Sequence, residues 1–127
     1  MALGDILKVG CKVVEGAAAK AATAIKTGQL VCNDGSGFVP ATTALVATNK
    51  AYVALDDVKA DSENRSFRVL VRGVVVVEKA SATVASKGRK LKVDTNGTVA
   101  PAAATDVVVA ETAEDAAAGT TEITIRM

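Results

Sequence analysis

The sequence predicts an all-β fold, a small β-barrel or sandwich built from two similar halves with an N-terminal arm. Three observations carry this. The 127 residues are 50% hydrophobic, yet a count gives 25 Ala and 20 Val against 7 Leu and 4 Ile. Val favours strands because its χ1 is already restricted. Second, Ser66–Arg72 and Glu122–Met127 alternate in the two-residue period of a strand with one buried face. Third, Asp34-Gly35-Ser36-Gly37 and Asp94-Thr95-Asn96-Gly97 each sit between apolar runs, with Asp and Gly placed for tight hairpins. The length predicts a single domain over 1–127, large enough to bury its core without metal or disulfide.

Taken in chain order, Met1–Val9 carries Leu3, Ile6, Leu7 and Val9 with only Asp5 and Lys8 as charges. It reads as an arm that gains order on a partner, with Leu3, Ile6, Leu7 and Val9 as the contact residues; the alternative is a first strand of the domain. Strands are expected at Lys8–Glu15, Gly28–Asn33, Ala51–Leu55, Ser66–Arg72, Arg89–Asp94, Asp106–Glu111 and Glu122–Met127. Gly16–Lys26 has high helix propensity but almost no large side chain to dock, and reads as extended or loop. Ala116–Gly119 reads as the hairpin approach to the last strand. Strand pairing should lapse at Pro40 and Pro101. Gly73 interrupts a strand run and marks a bulge or bend. Val74, Val75, Val76 and Val77 follow with no polar face, so both faces must be covered, either inside the domain or at an oligomer interface.

The halves, 28–72 and 88–126, align with themselves. Gly28, Asp34, Gly37 and Val39 match Gly88, Asp94, Gly97 and Val99. Val53-Ala54 matches Val109-Ala110, and Val69, Val71 and Arg72 match Ile123, Ile125 and Arg126. Two similar β units would bury their apolar faces on each other.

Chemistry is mostly excluded. There is no His and no Trp, which removes His-based acid/base catalysis, the Ser-His-Asp triad and most zinc sites. A net charge of +1 and three aromatic residues leave no footprint for nucleic acid. No apolar run has the length of about 20 residues that a membrane helix needs, and the N-terminus lacks the pattern of a secretion signal. Cys11 and Cys32 read as reduced apolar residues, with a bridge between them as the alternative. Asp56-Asp57 reads as a solvated loop rather than metal ligands or an acid/base pair, Asp34–Gly37 as a turn rather than a calcium loop, and Ser86-Lys87 as unable to form a dyad, since strand neighbours face opposite ways. No enzyme activity and no cofactor are expected.

The segments Ile25-Lys26-Thr27-Gly28-Gln29-Leu30-Val31, Gly73-Val74-Val75 and Gly88–Asp94 with Gly97-Thr98-Val99 resemble small phage capsid cement, or head decoration, proteins. The ending, Val109-Ala110-Glu111 and then Ala116–Met127, is similar to that family's close. The resemblance implies a virion protein, made in the host cytoplasm, that binds the outer surface of an assembled icosahedral head and stabilises it. It implies the major capsid protein and further copies of itself as partners, commonly as trimers, and no catalytic residue or cofactor. Two other readings stand beside it. One is another phage β module such as a tail component. The other is a lipoyl or biotinyl carrier domain using Lys59, although Val58 stands where those families carry an acidic residue or Met.

Overall fold

The computed structural model describes residues 2–6 and 11–127. The first half contains β1 (Lys12–Ala18), β2 (Leu30–Asn33), β3 (Phe38–Pro40), a short helix α1 (Thr43–Val46), β4 (Tyr52–Ala54) and β5 (Ser66–Arg72). The second contains β6 (Val74–Glu78), β7 (Lys90–Val93), β8 (Val99–Pro101), β9 (Ala110–Thr112) and β10 (Glu122–Arg126). Each half forms one five-stranded antiparallel sheet. Their orders, β1-β5-β4-β2-β3 and β6-β10-β9-β7-β8, are the same order repeated. Neither sheet's ladders close on themselves. One isolated bridge joins the outer strands of each curled sheet, Ala19 to Phe38 and Lys79 to Val99. The fold is therefore a two-sheet sandwich made of two similar halves.

The ladders fix which residues correspond, and they correct the alignment read from sequence. Leu30 pairs with Val53 as Lys90 pairs with Glu111, so Val53 corresponds to Glu111, two positions beyond Val109. Val69 corresponds to Ile125, again two positions from the sequence match. Sliding a strand by two residues keeps every side chain on its face, so alternation cannot detect the slip. The hairpins also differ by one residue. Asn33 pairs with Phe38 but Val93 with Val99, because a 3₁₀ turn at Thr95–Gly97 holds Asn96 at φ 52°. Gly37 thus corresponds to Thr98, not Gly97.

Other boundaries move for local reasons. The first strand covers Lys12–Ala18 rather than Lys8–Glu15, and residues 8–10 lie outside the described residues. It continues past Glu15 through a bulge, where Val14 pairs with Val69 but Ala17 with Phe67 and Gly16 takes φ 80°. Residues 19–26 are not helical. Ala19 bridges Phe38, Ala22 turns the chain at φ 60°, and Ile25 bridges Val58. Val107–Val109 precede β9 instead of belonging to it. Pro40 and Pro101 are the last residues of their three-residue edge strands, where an absent N–H costs nothing.

The halves share topology but not surface. Leu30, Cys32, Val53 and Leu70 are buried, and with Val75, Val77, Leu91, Val93, Ile123 and Ile125 they form one core spanning both sheets. Their counterparts in the second half are Lys90, Lys92, Glu111 and Arg126, joined by Lys90–Glu111 at 2.8 Å, Arg126–Glu111 at 4.0 Å and Lys92–Asp106 at 3.6 Å. The first sheet also buries its other face, where Ala17, Ile25, Val31, Ala54, Val58, Phe67 and Val69 form a separate cluster. Phe38 meets Tyr52 and Phe67 edge to face there, with centroids 5.9 and 5.6 Å apart. The contrast is legible strand by strand: β2, covered on both faces, reads as the apolar run Leu30–Cys32, while its counterpart β7, with one solvated face, alternates Lys and apolar residues.

The halves interlock at Gly97. Its N–H donates to the Ala41 carbonyl at 3.1 Å, and the neighbouring Asn96 carbonyl accepts from Gln29 Nε2 at 2.8 Å. A Cβ on Gly97 would strike the Leu30 carbonyl oxygen and lie 2.6 Å from Gln29 Cγ, whereas one on Gly88, at a similar φ, would meet nothing within 4 Å. Gly88→Ala is expected to cost only the left-handed strain of about 1–2 kcal/mol. Gly97→Ala should cost about 2 kcal/mol more, from overpacking against backbone. Urea unfolding of the two variants checks the difference.

Candidate functional site

The N-terminal segment docks along β6 through a turn and a single antiparallel bridge. Gly4 N–H donates to the Val76 carbonyl at 2.7 Å, Val76 N–H donates to the Asp5 carbonyl at 3.1 Å, and Ile6 pairs antiparallel with Val75. Leu3 lies over Gly28, whose φ of 84° and lack of Cβ admit it. Ile6 remains 38% exposed. Leu7 and Val9 lie outside the described residues. Val74, Val75, Val76 and Val77 are all buried within the chain, between β10 on one side and Gly4–Ile6 on the other. Their cover is thus supplied by the molecule itself.

The acidic residues singled out in the sequence are structural ties. Asp56 binds Arg68 through Nε at 3.0 Å and Nη2 at 2.8 Å, and accepts from the Arg68 backbone N–H at 2.9 Å. Asp57 accepts from Thr27 N–H at 2.7 Å, as the corresponding Asp115 does from Lys87 N–H at 2.8 Å. Asp34 accepts from Ser36 N–H and from Lys20 Nζ. The Arg68 hydrogen bonds hold the Asp56 carboxyl below its usual range, and Lys20 and Lys90 do the same for Asp34 and Glu111. Because these folded-state values are lowered, their contribution to stability is fully present above the ordinary values of 3.8 and 4.5. It is lost as pH falls from there through the folded-state values. The urea midpoint is expected to fall on acidification over that window, and Asp56→Asn should make the fall shallower.

Two cation hubs, one buried and one half-buried, escaped sequence reading. Lys79 is 1% exposed, and its Nζ donates to the carbonyls of Thr120 at 2.7 Å, Thr83 at 2.9 Å, Ala117 at 3.1 Å and Ala80 at 3.4 Å. In the first half, the Arg65 guanidinium donates to the carbonyls of Lys20, Thr23, Lys59 and Ala60. Lys20, Thr23 and Lys59 correspond to Ala80, Thr83 and Ala117. The same carbonyl cage is therefore filled by a cation from before β5 in one half and from after β6 in the other. No periodicity signals either residue.

Lys59 itself is exposed, and its backbone carbonyl is tied to Arg65 in a loop closed by Arg65. Lys59→Ala is expected to shift stability by less than about 0.5 kcal/mol, and intact-mass measurement should find no acyl adduct on Lys59. Cys11 and Cys32 are free thiols, and burial pushes Cys32 up to about 11. Among the described residues no three His, Cys, Asp or Glu side chains converge as a metal site, and no helix is long and apolar enough to cross a membrane.

What the surface offers instead is apolar. Val84, Val107 and Val108 are exposed at 59%, 44% and 50%. The two latter line a groove of about 400 Å³ with Lys50, Val71, Arg72 and Met127. No protein-family model and no curated protein matches the chain. A solved structure does. The chain shares its fold with a phage head protein. That structure is the N base of the head fiber gp8.5 of bacteriophage phi29, with a TM-score of 0.62 over 91% of this chain and 94% of that one, at 18% identity. The likeness runs through both halves, because so little of either chain is left out.

Proposed function

We propose that this protein is a structural component of a phage virion, a decoration protein that sits on the outer surface of the assembled head and stabilises it without catalysing a reaction. The observation that supports this reading is the shared fold with the phi29 head fiber base over nearly the whole of both chains. The sequence resemblance to cement proteins points the same way, and the polar groups that might suggest catalysis are engaged in holding turns and strands together. Binding to the closed shell, and not to its dissociated subunits, would shift the assembly equilibrium toward the intact head by mass action. The major capsid protein is the proposed partner, with Ile6 and the N-terminal residues beside it as the proposed contact. The trimeric arrangement rests on the family resemblance alone, since Val74–Val77 are covered within the chain.

The test is co-sedimentation of the purified protein with heads and, separately, with tails. Saturable binding to heads, reduced by removing residues 1–7, is the expected result. Binding to tails alone would favour a tail component and overturn the head assignment.

A further inference from the structure

The exposed charges are not evenly placed. Two cross-strand pairs set like charges directly opposite each other, an arrangement that disfavours a sheet. Lys12 stands opposite Arg72 on β1 and β5, and Glu78 stands opposite Glu122 on β6 and β10. Other strand charges do find partners, as Lys90 does with Glu111 across the strands and Arg68 with Asp56 in the loop after β4. Among the described residues, none of Lys12, Arg72, Glu78 and Glu122 has an opposite charge within 4 Å.

The two pairs lie on different ladders, β1–β5 in one sheet and β6–β10 in the other, which follow one another along the chain. β5 passes into β6 at Gly73, which exchanges backbone hydrogen bonds with Met127 just beyond β10. The second ladder then runs from Val74–Arg126 to Glu78–Glu122, about 14 Å at 3.4 Å per residue. The basic end carries the apolar groove, and among the described residues no Asp or Glu lines it; Lys50 adds a second positive charge beside Arg72. The acidic end carries Leu3, Asp57, Glu78 and Glu122 around a shallow depression, with Lys26 as its one basic lining residue. One end is therefore apolar and basic, and the other is apolar and acidic.

We propose that copies of this chain associate head to tail, the Lys12–Arg72 end and Val107–Val108 groove of one copy receiving the Glu78–Glu122 end of the next. Each like-charge pair then gains the countercharge that its own chain does not supply. A contact between two different surfaces of this kind closes into a ring or continues as a line. The proposal goes beyond the decoration role and does not depend on it, because it is tested with no head present.

Sedimentation velocity across a rising concentration series at low salt decides it. The unaltered protein is expected to self-associate, more weakly as salt screens the contact. Lys12→Glu with Arg72→Glu, and separately Glu78→Lys with Glu122→Lys, should each weaken association by about tenfold or more. All four changes in one chain should restore it, as should an equimolar mixture of the two double variants. The mixture keeps the test valid if the fourfold variant fails to fold. A protein that stays monomeric throughout, double variants that associate as before, or a mixture that does not associate would each overturn the proposal.

Discussion

Lys79→Met is expected to lower the free energy of unfolding by about 3 kcal/mol, the scale of losing hydrogen bonds to a charged group while their acceptors stay buried. The methionine fills the same channel but donates nothing. The carbonyls of Ala80, Thr83, Ala117 and Thr120, which the ammonium gathers, are left without that donor. These carbonyls belong to the turn after β6 and the approach to β10, so the loss loosens the second half where its outer strands meet. Urea unfolding monitored by circular dichroism reads the change. A loss below about 1 kcal/mol would mean that water replaces the ammonium at little cost.

Leu70→Arg should abolish folding. It places, at a fully buried position between the sheets, the residue that the second half carries at the corresponding Arg126. An unpaired buried charge costs several kcal/mol, comparable with the 5–15 kcal/mol that holds a domain of ordinary stability together. The reciprocal change, Arg126→Leu, should alter stability by less than about 1 kcal/mol, because Arg126 is exposed and its contact with Glu111 is long, at 4.0 Å. The pair of melting curves thus tests whether the halves, alike in topology, are committed to different surroundings by a few side chains.

Much of this architecture is legible in the residues. The alternation in Ser66–Arg72 coincides with β5, and Asp-x-x-Gly marks both hairpins. The repeat is legible too, but its register is not, because Val-rich strands look the same after a two-residue slip. The extra residue in the second hairpin hides behind the same Asp-x-x-Gly pattern as the first. The Val74–Val77 run announces that two faces need cover, yet nothing local says that Gly4–Ile6, seventy residues earlier, supplies part of it. Arg65 and Lys79 are ordinary surface residue types in the sequence. Their role depends on carbonyls gathered from two distant turns, which no short-range pattern encodes. The mismatch of Lys12 with Arg72 and of Glu78 with Glu122 becomes visible only once strands are paired, which is why the end-to-end charge asymmetry is a property of the fold rather than of the composition.

The role proposed for the protein is tested most directly by imaging purified particles by electron cryomicroscopy, with and without this protein. The expected result is density for a two-sheet sandwich at regular positions on the outer face of the head, absent from heads made without the protein and restored when it is added back. Heads that look the same in both preparations, or density confined to the tail, would contradict it.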